Sequence, residues 1–171
     1  MKLKACAAFL VASMALAAQA LAFDGKRKGF ILGGGVGGTY LSYKEDSGFE
    51  ENKFSLATNI KIGHGQSESL EIYYVNSYSM VDAGVNISNC IGVTKYLNRE
   101  GKGIFLFGGA GIALVYGLWD SQAGFNVLGG VGYDIARHWS IQGDVLYTNL
   151  ASGMTMTSIV SFRVTINFLA F

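Results

Sequence analysis

The last fourteen residues, "SIVSFRVTINFLAF", put Phe162, Val164, Ile166 and Phe168 on one parity and Ser161, Arg163, Thr165 and Asn167 on the other. A period of two is the signature of an extended strand with two unlike faces. The same alternation returns along the whole chain. Phe54, Leu56, Thr58, Ile60 and Ile62 oppose Ser55, Ala57, Asn59, Lys61 and Gly63, and Val85, Ile87, Ile91 and Val93 oppose Asn86, Ser88, Cys90 and Thr94. Phe125, Val127, Val131 and Tyr133, then Ile141, Val145 and Tyr147, continue it. Between turn signals the chain divides into segments at about 29–44, 53–64, 68–78, 81–97, 102–118, 123–136, 139–150 and 156–171, which makes eight expected strands.

Two arrangements suit such strands. In a soluble carrier of the lipocalin kind the apolar parity faces a core, and Arg163 faces water. In an inside-out barrel the apolar parity faces lipid, and Arg163 faces the lumen. Strand length separates the two. These segments are longer than the roughly 5–6 residues usual in globular sheets, and they match the roughly 9–11 that a tilted strand needs to cross a bilayer, with some overhang. Aromatic residues gather near strand ends, Tyr40, Tyr43, Tyr78, Tyr116, Trp119 and Tyr147 toward one rim and Tyr96, Tyr133 and Trp139 toward the other, as interfacial girdles require. The expected fold is therefore all-β: an eight-stranded antiparallel up-and-down transmembrane β-barrel with the polar parity inside.

The N-terminus sets the route. Lys2 and Lys4 precede an apolar run from Ala5 to Ala18, and "AQALA" follows with small residues. This reads as a signal peptide over residues 1–22, which leaves 23–171 as the barrel domain. The run is short for a spanning helix, and no cysteine follows it at a lipid-anchor position. Cleavage removes two of 13 basic residues against 12 acidic ones, for a net charge of −1, which offers nothing to nucleic acid. Cys6 leaves with the signal, so Cys90 stands alone as a small lumen filler with no disulfide partner. The absence of Pro, together with 24 Gly, suits a chain that stays extended and needs space where backbones crowd.

Two stretches invite other readings. "GIFLFGGAGIALVYGLW", 103–119, could pass for a spanning helix, but five of its 17 residues are Gly, and a lone helix would leave seven amphipathic strands without partners. It is read as a strand with Gly109, Gly111 and Ala113 on the lumen parity. "GGGVGG" at 33–38 fits G-x-G-x-x-G, but "TYLSYK" after it continues a strand and does not open a helix, so no nucleotide loop is expected. Gly33, Gly35 and Gly37 are expected to make room for large lumen side chains.

"GFILGGGVGGTYLSYK", "GYDIARHWSIQGDVLYT" and the terminal Phe171 resemble the small outer-membrane β-barrel superfamily, and are similar to the eight-stranded transmembrane domain of outer membrane protein A. The resemblance spans the mature chain, without an appended peptidoglycan-binding domain. It implies residence in the bacterial outer membrane among its lipids. It also implies insertion by the barrel assembly machinery through a C-terminal signal carried here by Phe162, Val164, Ile166, Phe168 and Phe171. Phe171 falls on the Arg163 parity, so either a bulge near Leu169 and Ala170 or a signal ending at Phe168 is expected.

The function expected from these residues is structural, in a monomeric barrel that carries no enzyme activity, cofactor or metal. The alternative is a small lipid-modifying barrel, acting as a lipid A acyl hydrolase or transferase, or a solute-binding one. His64 and His138 fall at the turns "GHGQS" and "ARHWS", on the rim opposite to where acyl chemistry on outer-leaflet lipid needs a base. Eight strands enclose an interior that side chains can fill, which disfavours a general channel. The connections near 45–52, 77–81, 119–122 and 151–155 are short. The "NIS" sequon at 86–88 lies within a strand and carries no meaning there.

The charges on the lumen parity suggest what fills the interior. A turn centred on Gln66 would set Lys61 opposite Glu71, and one centred between Gly153 and Met154 would set Asp144 opposite Arg163. These four residues are expected to form paired charges that plug the lumen and hold strand register.

Overall fold

A computed structural model describes residues 27–45, 48, 50–81, 84–98, 103–116, 121–152 and 155–170. They form eight strands: β1 (Gly29–Glu45), β2 (Glu50–Ser67), β3 (Leu70–Val81), β4 (Gly84–Tyr96), β5 (Ile104–Tyr116), β6 (Ser121–Ala136), β7 (Trp139–Ser152) and β8 (Thr155–Ala170). Each pairs antiparallel with the next, and β8 pairs back onto β1 to close the barrel. Closure leaves no strand edge, so every backbone N–H and C=O of the wall can be paired without water, as a bilayer demands.

The period of two sorts the side chains. Phe54 (81% exposed), Ile91, Phe125, Val164 and Ile166 stand on the outer surface, while Asn86, Thr94, Asn126, Thr148, Arg163 and Asn167 are buried inside. A soluble protein shows the reverse, and only a hydrocarbon surround makes this arrangement favourable. The barrel is therefore a transmembrane one, crossing with strands. The apolar run at 103–119 contributes β5, which is paired along its length with β4 and β6, and Ala113 is fully buried on the lumen side. No helix among the described residues is long and apolar enough to span a membrane.

Inward glycines create the space that the lumen side chains occupy. A Cβ on Gly132 would collide with the Phe105 ring, and one on Gly92 would lie 2.7 Å from the Tyr73 ring. In β1 the reasons differ by position. Gly33 makes way for both the Leu169 side chain and the Phe168 carbonyl, Gly35 chiefly for the Asn167 side chain, and a Cβ on Gly37 would strike the backbone of β8 at the Val164 carbonyl. Close approach of two strands, and not a large side chain, fixes Gly37.

Several sequence expectations need correction. β2 runs on through "GHGQS" to Ser67, and the turn lies at Glu68 and Ser69, with a register shift between Gly65 and Ser67. Lys61 is thus in register with Val75, and Glu71 with Gly65. His64 is no turn residue; it sits on the outer face of β2 between Phe30 and Ile72. No bulge occurs near Leu169 and Ala170, since β8 keeps register with β1 through Leu169–Gly33 and Ala170–Leu32. Leu169 turns inward onto Ile31, and its N–H donates to the His138 carbonyl at 2.9 Å. Tyr96 and Tyr43 do not belong to the girdles. Both fall on the inward parity, Tyr96 buried and Tyr43 packed against the cluster of Leu41, Ala113, Leu150 and Ile159. Tyr78, Tyr116, Tyr133, Trp139 and Tyr147 do stand outward. Trp119 and Phe171 lie outside the described residues.

Candidate functional site: the lumen

The lumen is filled in layers. At the mouth where β1 begins, Lys61 Nζ donates to Glu71 Oε2 at 3.0 Å and to Thr94 Oγ1 at 3.2 Å, passing 4.1 Å from the centre of the Tyr73 ring. Lys61 and Glu71 are four residues out of direct register. They meet because both lie on the inward parity, and two long side chains run toward each other across Tyr73. The other oxygen of Glu71, Oε1, accepts from the Tyr96 hydroxyl at 2.8 Å, so this wholly buried carboxylate has partners on both oxygens.

Midway along the barrel Asp144 of β7 stands directly opposite Arg163 of β8, and Arg163 Nε donates to Asp144 Oδ1 at 2.6 Å. Around this pair pack Tyr73, Val75, Cys90, Leu128 and Leu146, with Phe107. Cys90 Sγ lies 2.8 Å from Asn126 Oδ1, and Asn126 Nδ2 donates to Ser88 Oγ at 2.7 Å. A buried thiol held this way is a filler. Toward the far rim, Leu41, Ala113, Leu150 and Ile159 form an apolar cap with Tyr43 and Val115.

Sequence reasoning missed four participants: Arg27, Asp134, Tyr96 and Thr94. Arg27 precedes β1 and pairs with Asp134 of β6 while stacking on Tyr96. The parity of Asp134, two places beyond Gly132, could have marked it as a lumen acid. Nothing in "DGKRKG" could have placed Arg27 beneath the mouth, because it lies outside any alternating segment. With these, three ion pairs lie inside the barrel: Arg27 with Asp134, Lys61 with Glu71, and Arg163 with Asp144.

A cavity of about 30 Å³ remains between Lys61, Tyr73, Phe107, Asp144, Arg163 and Asn167, enough for about one water. His138 Nδ1 bonds the Leu169 carbonyl oxygen at 2.9 Å, and Ser140 of "HWS" faces inward, where Gln142 donates to it at 3.2 Å. No group of three or more His, Cys, Asp or Glu suited to a metal occurs among the described residues. Asn86 of the sequon is buried in the lumen. Of the residues expected to carry an assembly signal, Phe162, Val164, Ile166 and Phe168 form one outward row on β8.

No protein-family model and no curated relative matches this sequence. Solved structures match it in fold. Ail, the attachment invasion locus protein of Yersinia pestis, aligns over 82% of this chain and 99% of its own with a TM-score of 0.57 at 13% identity. Neisserial surface protein A aligns over 84% and 98% with a TM-score of 0.59 at 12% identity. At such identities the likeness is one of fold: a small closed β-barrel.

Proposed function

We propose that this chain is a structural, monomeric protein of a bacterial outer membrane, a closed barrel whose lumen is plugged by its own side chains and which catalyses nothing. The observation that carries this reading is the filling of the lumen. Three cations and three anions form ion pairs inside the barrel, packed among aromatic rings, and the mid-barrel cavity bounded by Lys61, Asp144 and Arg163 is about 30 Å³. That is too small for a hydrated ion to pass. The lipid-facing outer surface and the export signal expected of residues 1–22 support the location. The fold shared with two bacterial surface proteins agrees with it.

On this reading the lumen pairs also hold register. A one-residue slip of β8 would carry Arg163 to the lipid face and strand Asp144 inside, a double penalty that lipid makes severe. The outward row Phe162, Val164, Ile166 and Phe168, with Phe171 beyond it, is the segment offered to the assembly machinery. Reconstitution into planar bilayers tests the plug: the protein should insert without stable single-channel conductance. A sustained, voltage-independent conductance from the purified protein would overturn the closed-lumen reading, and recovery in the soluble rather than the detergent-extracted pool would overturn the location.

A further inference from the structure

Arg27 is not part of the barrel wall, yet it is only 3% exposed. Its guanidinium carbon lies 3.7 Å from the centre of the Tyr96 ring, its Nη2 is ion-paired with Asp134, and its backbone N–H donates to Glu68 Oε2 at 3.3 Å. The groups that receive it are held from the barrel side. The Tyr96 hydroxyl donates to Glu71 at 2.8 Å, and its ring packs on Phe105 at 5.1 Å, in the space that Gly132 leaves. The Asp134 N–H donates to the Gly103 carbonyl at 3.0 Å, which fixes the backbone from which the carboxylate projects.

An aromatic face with a carboxylate beside it suits a flat, weakly hydrated guanidinium. A compact ammonium carries its hydration shell and cannot stack, so it gains less there. Lys61, which shares Glu71 with Tyr96, shows the difference: its ammonium is held by Glu71 and Thr94 and reaches the Tyr73 ring only at 4.1 Å. We propose that the mouth where β1 begins is a guanidinium-binding site built from Tyr96 and Asp134, occupied in cis by Arg27. When Arg27 is removed, the vacated site takes a small guanidinium compound in its place. The proposal does not depend on whether the lumen conducts.

The test uses the full mature chain in detergent micelles, with ethylguanidinium as the probe and ethylammonium as the control, followed by ligand-observed NMR. Arg27→Ala should bind ethylguanidinium saturably, whereas the wild type, its site filled, should not. Binding should weaken by about tenfold in Arg27→Ala/Tyr96→Leu, which lacks the stacking face. It should be lost in Arg27→Ala/Asp134→Asn, and ethylammonium should bind Arg27→Ala at least about tenfold more weakly than ethylguanidinium. Absence of saturation in Arg27→Ala, equal binding by wild type, or equal affinity for the two cations would overturn the site. If Arg27→Ala does not reach the folded, heat-modifiable form, arginine modification by phenylglyoxal, mapped by peptide mass spectrometry, decides the matter on folded protein. Arg27 should be protected in the wild type and react at least about tenfold faster in Asp134→Asn, with Arg163 protected in both. Wild-type Arg27 reacting as fast as the exposed Arg137 would sink the proposal.

Discussion

Arg163 and Gly132 show, at the scale of single residues, how a narrow lumen raises the cost of small changes. Arg163 is 9% exposed, and its Nε is paired with Asp144 at 2.6 Å. Truncating it leaves a carboxylate stranded in a site with little water, so Arg163→Ala should cost about 3–5 kcal/mol in urea titrations from bilayers. Asp144→Ala should add little once Arg163 is gone. Strict additivity of the two substitutions would mean that the pair carries no shared energy. Gly132 makes a steric counterpart. Its missing Cβ is space that the Phe105 ring fills, so Gly132→Ala should destabilise by about 1–3 kcal/mol, and Phe105→Leu in the same chain should recover part of that loss. Gly129 is the internal control: a Cβ there meets nothing within 4 Å, and Gly129→Ala should leave the urea midpoint unchanged. Equal effects at the two glycines would show that crowding in the lumen does not set them.

Among the elements, β8 carries the most distinct tasks on its two faces. Outside, Phe168 meets Trp139 edge to face at 5.2 Å, closing the row that begins at Phe162. Inside, Leu169 packs on Ile31, and its backbone ties to the β6–β7 turn through His138. Because β8 stays in register with β1 through Ala170, the outward row ends at Phe168 without a bulge to redirect it. Phe168→Ala should therefore slow assembly into the folded form in cells more than deletion of 169–171 does, while the deletion should lower the stability of barrel already folded, through the lost Leu169 packing. Pulse-chase measurement of the heat-modifiable form separates the two effects. A deletion that blocks assembly as Phe168→Ala leaves it intact would return the signal to Phe171.

For the whole molecule, closure makes the two rims inequivalent. Arg137 and His138 form the turn at the rim shared with Arg27, and Ser121 lies at the opposite rim beside Tyr116. If the chain begins at the periplasmic face, Ser121→Cys in a Cys90→Ser background should react with an impermeant maleimide in intact cells, and Arg137→Cys should react only after the cells are opened. Labelling of both in intact cells would overturn that orientation. The Cys90→Ser background itself should fold normally, because Ser88 and Asn126 already supply a polar setting for a hydroxyl.

What the sequence determined by itself was the number of strands, the identity of the two faces and the inward parity of Lys61, Glu71, Asp144 and Arg163, because a side-chain period of two is a property of extended backbone and needs no neighbour to define it. It could also pair Asp144 with Arg163, since the β7–β8 hairpin offers no competing turn signal. At β2–β3 the local signal misled: Gly63 and Gly65 look like turn residues, but a Cβ on Gly63 would lie 2.5 Å from the Ile72 carbonyl, and one on Gly65 would strike the Arg27 carbonyl. Those glycines answer to packing between distant segments. The same holds for Arg27, Tyr96 and Asp134, which come from three places in the chain and meet only at the barrel mouth. Parity is written residue by residue, but register and mouth closure depend on which distant atoms compete for one volume, and only the closed tertiary structure brings those atoms together.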